Sequence, residues 1–160
     1  MAKDIKTIKP SHKSGYIQGY FKPINESKYV GPRPIIYRSS YEKKFAMYCD
    51  NNPNVVKWSS EPFSIRYFSS IDKKYHNYFP DFYVKIKRSN GYDEYVVEVK
   101  PKSQLTKPKP PKKKTTKALI GYKKAYMTYI LNYIKINALK KFAESRNYKV
   151  LLITEKSWMI

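Results

Sequence analysis

Cysteine and histidine are nearly missing from this chain of 160 residues, which has one Cys (Cys49) and two His (His12 and His76). A single thiol cannot build a disulfide framework, and so few soft ligands exclude a Cys/His zinc site. Any metal must then be held by oxygen. Acid is scarce as well: 12 Asp and Glu stand against 33 Lys and Arg, for a net charge of +21. Self-repulsion on that scale calls for a polyanionic partner, and nucleic acid is the usual one. A membrane surface is the second candidate, but no apolar run approaches the roughly 20 residues that span a bilayer, so no membrane partner is expected. The opening MAKDIKTIKP has no apolar stretch of a secretory signal, which points to a reducing cytosol. The length is that of one domain with a sizeable core.

Because acids are few, their positions are informative. From Tyr75 to Lys100 the sequence YHNYFPDFYVKIKRSNGYDEYVVEVK reads as two strands, FPDFYVKI and EYVVEVK, joined by Ser-Asn-Gly turn chemistry. Asp81 follows Pro80 in the first, and Glu98 precedes Lys100 by two in the second. Strand side chains alternate, so Glu98 and Lys100 share a face and Val97 and Val99 take the other. Normal pairing lets Asp81 approach Glu98. Two carboxylates and an ammonium at one point suit metal-assisted phosphodiester hydrolysis, with Mg²⁺ on Asp81 and Glu98 and the Val99 carbonyl as a further ligand. Lys100 would orient water or steady charge on the phosphate. A surface hairpin with an exposed acid explains the same residues blandly.

The remaining segments supply supports and alternatives. Residues 1–34 are rich in Lys, Ser, Gly and Pro and read as a basic arm, docked from about Gly19, with 35–160 as the domain proper. A helix is expected from about Ser40 to Asp50, where Ser39 and Glu42 fit a capping box; Glu42 equally suits an acid aimed at a metal. VVKWSSEPFSIRYF reads as two short strands bent at Glu61-Pro62, and Asp72, Lys73 and Lys74 turn the chain into the central hairpin. His76 is a candidate phosphate or water contact, or an ordinary hydrogen-bonded histidine. Arg38 is a candidate DNA contact. Residues 101–117 place Lys102, Lys107, Lys109, Lys112, Lys113, Lys114 and Lys117 among prolines, an extended cationic loop suited to DNA backbone. A helix is expected from about Gly121, with Leu131, Ile134, Ala138, Leu139 and Phe142 on one stripe and Lys135, Lys140 and Lys141 outside it. Tyr122, Tyr126, Tyr129 and Tyr133 either stack on bases or pack. YKVLLIT is expected as a short buried strand. The element order specifies an α/β domain with a mixed sheet between helices.

PD followed by E-x-K resembles the PD-(D/E)xK nuclease superfamily, and the element order resembles the amino-terminal domain of TnsA-type transposases. The segments NESKYVG, IIYRSSYEKKF, VKWSSEP, YHNYFPDFYV, VVEVKP and LLITEKS are more similar still to the small head-completion nucleases of T4-like tailed phages. Glu26 and Tyr41 stand where Pro and Trp are more usual in that group, and the Lys-Pro stretch is an insertion. The resemblance implies a restriction-endonuclease-like mixed central sheet flanked by helices, with the basic amino-terminal arm added. It implies a metal-dependent DNA nuclease, with endo- and exonuclease activity, acting on packaged DNA as a phage head is readied for its tail. Asp81, Glu98 and Lys100 fall on the catalytic motif and Glu42 on the helix acid. Mg²⁺ is the implied cofactor, with Mn²⁺ able to replace it. Double-stranded DNA and portal, neck or tail proteins are the implied partners, met in the host cytoplasm during assembly and at the head–tail junction. Two other classes fit: a non-catalytic DNA-end-binding connector, and a transposase cleavage subunit that works beside a recombinase.

Overall fold

The computed structural model describes residues 17–156. The first sixteen residues of the basic arm, His12 among them, and the last four of the chain lie outside the described residues. The centre is a four-stranded sheet in the order β3 (Val55–Ser60), β6 (Phe82–Arg88), β7 (Gly91–Val99), β8 (Lys149–Ile153). The first three strands are antiparallel and β8 runs parallel to β7, so the sheet is mixed as its element order implied. Helix α1 (Ser40–Asn51) covers one face and α3 (Thr116–Ser145) the other.

Alternation along the strands explains both cores. Phe82, Val84 and Ile86 on β6 share a face with Val97 and Val99 on β7 and with Val55 and Trp58 on β3. Phe45, Ala46 and Cys49 of α1 close that face, at the spacing an amphipathic helix needs. Val96 points the other way and packs on Leu139 and Ala143 of α3, with Leu131, Ile134, Ala138 and Phe142 alongside. The apolar stripe read from the sequence is therefore the one that packs. The β6–β7 turn is the two-residue Ser89-Asn90, with Arg88 paired to Gly91. Gly91 has φ +134°, a conformation side chains rarely adopt, which is why glycine ends that turn.

Several local expectations need correction. The segment after Asp72 does not lead straight into the central hairpin. Residues Lys74–Tyr78 form a strand, β5, paired with β4 (Ile65–Ser69) as a separate two-stranded ribbon, with Tyr67 and Tyr78 packed toward α3. Strand β4 is the second of the two strands expected around Glu61-Pro62, whereas in β5 Tyr75 and Asn77 point outward beside Phe68 and Arg66, so no polar–apolar contrast marked it. The Lys-Pro loop is not extended throughout: Lys102–Leu105 winds into a short helix, α2, held when Asn132 Nδ2 donates to the Gln104 carbonyl at 3.3 Å. Helix α3 starts at Thr116 instead of Gly121, because Thr115 caps it by accepting the Ala118 N–H. It ends at Ser145, and just beyond the Arg146 cap Asn147 adopts φ 57°, the left-handed stop that Asn tolerates. Strand β8 is half-buried at its centre and not fully buried, since it forms the sheet edge.

The segment before Pro34 packs on the domain. Strand β1 (Gly19–Phe21) pairs with β2 (Ile35–Tyr37), and Tyr29 stacks edge-on to Trp58 with ring centroids 4.7 Å apart. The buried Asp50 carboxylate accepts the Ile24 and Asn25 N–H groups at 2.7 and 3.0 Å. No described helix is long and apolar enough to cross a membrane.

Candidate active site

Strand register assembles the site. Phe82 pairs with Val97, so Asp81, one residue before the strand, faces Glu98 one step along the ladder. Cross-strand partners share a face, and Lys100 joins them two residues after Glu98. The Lys100 Nζ stands 2.8 Å from Glu98 Oε1 and 3.8 Å from Asp81 Oδ2. Asp81 Oδ2 also accepts the Val99 N–H at 2.7 Å, which fixes the carboxylate and leaves Oδ1 for a ligand. Lys100 Nζ lies 3.4 Å from the Val99 carbonyl as well. Asp81, Glu98 and Lys100, with the Val99 backbone, thus meet at the end of the β6–β7 pair.

The electrostatics are those of a crowded, nearly dry cluster. Glu98 is 4 % exposed. Burial, and then the Asp81 charge, push its carboxyl up to about 7 against the pull of Lys100. Asp81 is raised by burial too, opposed by Lys100 and by the Val99 N–H. Burial draws the Lys100 ammonium down, but the charges of Asp81 and Glu98 outweigh it and leave it raised. One ammonium is therefore shared by two acids and satisfies neither fully.

Those donors suit a hard divalent cation. Glu98 Oε2 is buried without a hydrogen-bond partner, an atom whose desolvation is uncompensated by protein. Among the described residues no group of three or more His, Cys, Asp and Glu is placed to hold an ion. Two carboxylates with a backbone carbonyl is a set that leaves coordination places for water and phosphate, as Mg²⁺ sites do.

Glu42 reaches the site from the first turn of α1. Ser39 Oγ accepts the Glu42 N–H at 3.1 Å and donates to its Oε1 at 3.0 Å, and Oε2 accepts the Arg38 N–H at 2.7 Å. Both oxygens are thus used by the cap. The carboxyl is still raised, by burial and by the Asp81 charge, so it belongs to the same electrostatic cluster. Arg38 is tied to Glu61 at 2.6 Å, where Glu61 is half-buried at the β3 bend and donates its N–H to the Asp81 carbonyl at 3.0 Å. A cleft of about 450 Å³ opens here, lined among others by Gln18, Arg38, Glu42, Val99, Lys100 and Gln104. A larger groove of about 600 Å³ between β4 and α3 holds none of the cluster.

The other sequence candidates fall elsewhere. His76 is held by Asp72 at 2.7 Å on its own ribbon and makes no hydrogen bond to the acid cluster. Lys102, Lys107, Lys109, Lys112, Lys113, Lys114 and Lys117 are all exposed. The Lys102 N–H is anchored on Glu155 at 2.9 Å, and Lys107 lies 5.9 Å from the Tyr126 ring centre. Two neighbours of the cluster were not legible as such. Tyr78 is buried beside Glu98, and the Glu98 and Asp81 charges add to burial in raising its hydroxyl. Lys135, expected outside the α3 stripe, is half-buried on it, with its Nζ 5.8 Å from the Tyr78 ring centre. Its spacing of four from Leu131 and from Leu139 was the available signal.

Known proteins resemble this chain over most of its length. Residues 52–155 match the family model described as TnsA-like endonuclease N terminal. The head completion nuclease of Enterobacteria phage T4 is 37 % identical over 138 residues, covering 86 % of this chain and 90 % of that protein. The matched span contains the strand pair, the acid cluster and α3, and the chain belongs to the TnsA-like endonuclease family of nucleases.

Proposed function

We propose that the chain cuts double-stranded DNA in a Mg²⁺-dependent hydrolysis at the Asp81–Glu98–Lys100 cluster. One observation carries the reading: two acids face each other across a strand pair with an ammonium 2.8 Å from one and 3.8 Å from the other. Asp81, Glu98 and the Val99 carbonyl are the groups that would hold the ion, which supplies Lewis acidity toward phosphate and lowers the pKa of a bound water. Lys100 is placed to hold the attacking water or a phosphate oxygen and to stabilise the added negative charge. Glu42 supports the cluster from α1 by keeping Arg38 and Ser39 in place. The exposed lysines of 101–117, with Arg38 and His76, provide sequence-blind backbone contacts.

The phage relative supports a biological setting. The substrate is packaged phage DNA, cut by endo- and exonucleolytic steps while the head is made ready for its tail. Portal, neck or tail proteins are the partners, in the host cytoplasm and at the head–tail junction of the particle. Mn²⁺ should replace Mg²⁺, because both accept an oxygen donor set.

Linear and circular duplex DNA incubated with the purified chain, in Mg²⁺ or in EDTA, tests this. Cleavage in Mg²⁺ alone is expected, and degradation that persists under chelation would overturn the metal mechanism. Glu98→Gln should bind DNA without cutting; full biological activity in that variant would mean a connector. A chain that cuts only with an added recombinase would mean a transposase-type subunit.

A further inference from the structure

A third cation, Lys135, stands near the cluster without an ion pair among the described residues. Helix α3 carries Lys135 among Leu131, Ile134, Ala138 and Leu139, all packed on the sheet face that bears Glu98. Its Nζ lies 5.8 Å from the ring centre of Tyr78, the buried tyrosine beside Glu98. The ion pairs of the cluster join Lys100 to Asp81 and Glu98 and Arg38 to Glu61; among the described residues none includes Lys135. Its charge feels Lys100, Glu98 and Asp81 all at once, with burial and Lys100 acting against the protonated form.

A half-buried ammonium held at a distance from its nearest acids, with no direct ion pair, is incompletely compensated for its desolvation. The Tyr78 ring, whose face lies toward the ammonium, offsets part of it. An anion arriving at the cluster would offset the rest. We infer that Lys135 is a substrate-contacting residue whose ammonium holds a non-bridging oxygen of the DNA phosphate being cut. The inference rests on the nuclease reading for the identity of the anion. It gives Lys100 and Lys135 separate duties, since Lys100 is committed to the two carboxylates and Lys135 is not. It also accounts for a lysine on the apolar stripe of α3, a place where a leucine would pack without penalty.

The variants Lys135→Met and Lys135→Arg, compared with the unaltered chain on one duplex in Mg²⁺, test the inference. Met should lower kcat about 10²-fold, the loss typical of one donor aimed at developing charge, while KM changes less than about threefold. Arg should recover part of the loss. The thermal midpoint of the Met variant should hold or rise, because an incompletely compensated charge has been removed. Equal cleavage by the Met variant and the unaltered chain overturns the assignment, as does a fall in thermal midpoint with kcat intact, which would make Lys135 structural. A rise in KM alone also overturns it, since Lys135 would then be one more backbone contact. An unaltered chain that leaves DNA intact overturns the nuclease reading itself, and this one with it.

Discussion

Lysine does opposite things at the two ends of Pro101. Lys100, before it, is 26 % exposed and pinned between Asp81 and Glu98; Lys112, Lys113 and Lys114, after it, are exposed and meet no carboxylate within ion-pair distance among the described residues. The side chain is the same and the surroundings differ. In the first region low dielectric makes each charge sensitive to its neighbours, so protons and ions can be held or released there. In the second, water screens the charges, so they attract a polyanion without shaping it. Chemistry and grip are thereby divided within about twenty residues of chain, and the two should be separable by mutation.

The largest expected effect breaks the acidic side. Asp81→Asn or Glu98→Gln should reduce the single-turnover cleavage rate by about 10³-fold or more, with duplex affinity in a filter-binding assay unchanged or improved, as removal of a charge-stabilising group implies. Equal loss of binding and cutting would merge the two regions.

A second effect sharpens the same side through pH. The Glu98 carboxyl is raised from its ordinary 4.5 to about 7 in the folded chain. The folded state then holds a proton that the unfolded state has lost between those values. The stability tied to this proton is complete below pH 4.5 and disappears as pH rises through 7. In EDTA, Glu98→Gln should therefore match the unaltered chain near pH 4.5 and exceed it above pH 7, by on the order of 3 kcal/mol in urea unfolding. A constant difference across that range would show that Glu98 is not the group responsible. The same titration makes cleavage climb as pH rises toward and past 7, since ion binding needs the carboxylate.

Breaking the basic side should cost less. Changing Lys112, Lys113 and Lys114 together to Ala should weaken duplex binding about tenfold near physiological salt and flatten the log–log salt slope by about 2.7, at roughly 0.9 per phosphate contact. The maximal rate at saturating DNA should stay within about twofold, since exposed backbone contacts bind ground and transition states alike. The smallest effect concerns the junction between α1 and the cluster. Ser39→Ala removes the helix cap and should lower stability by about 1 kcal/mol. If Glu42 serves only the cap, cleavage survives that change and survives Glu42→Gln equally; a further loss of rate in Glu42→Gln alone would assign its carboxylate to the chemistry.

Local signals made much of the fold readable. The Ser-Asn-Gly turn, the Ser39 cap and the apolar spacing on α3 each act over a few residues, and each element formed where its signal stood. The two strands on either side of Glu61-Pro62 formed as their sequence implied. Strand β5 and its pairing with β4 were hidden because Tyr75 and Asn77 on its outward face, with Arg66 and Phe68 opposite, gave no polar–apolar contrast. The Thr115 cap was hidden by the lysine run around it. Lys135 departs from expectation because a cation belongs by type in solvent, whereas its spacing of four from Leu131 and Leu139 puts it on the packed stripe.

The chain's own order of residues determined the strand pair, its two-residue turn and hence that Asp81 faces Glu98, because period-two alternation and turn length set register without help from afar. Its charge balance likewise determined that a polyanion is the partner to expect. Only tertiary packing decided how dry that acid pair became, that both oxygens of Glu42 went to a cap, and that β5 and α3 brought Tyr78 and Lys135 to the same corner. Burial and long-range approach depend on which faces close over one another, a property of the assembled layers that no short window of sequence contains.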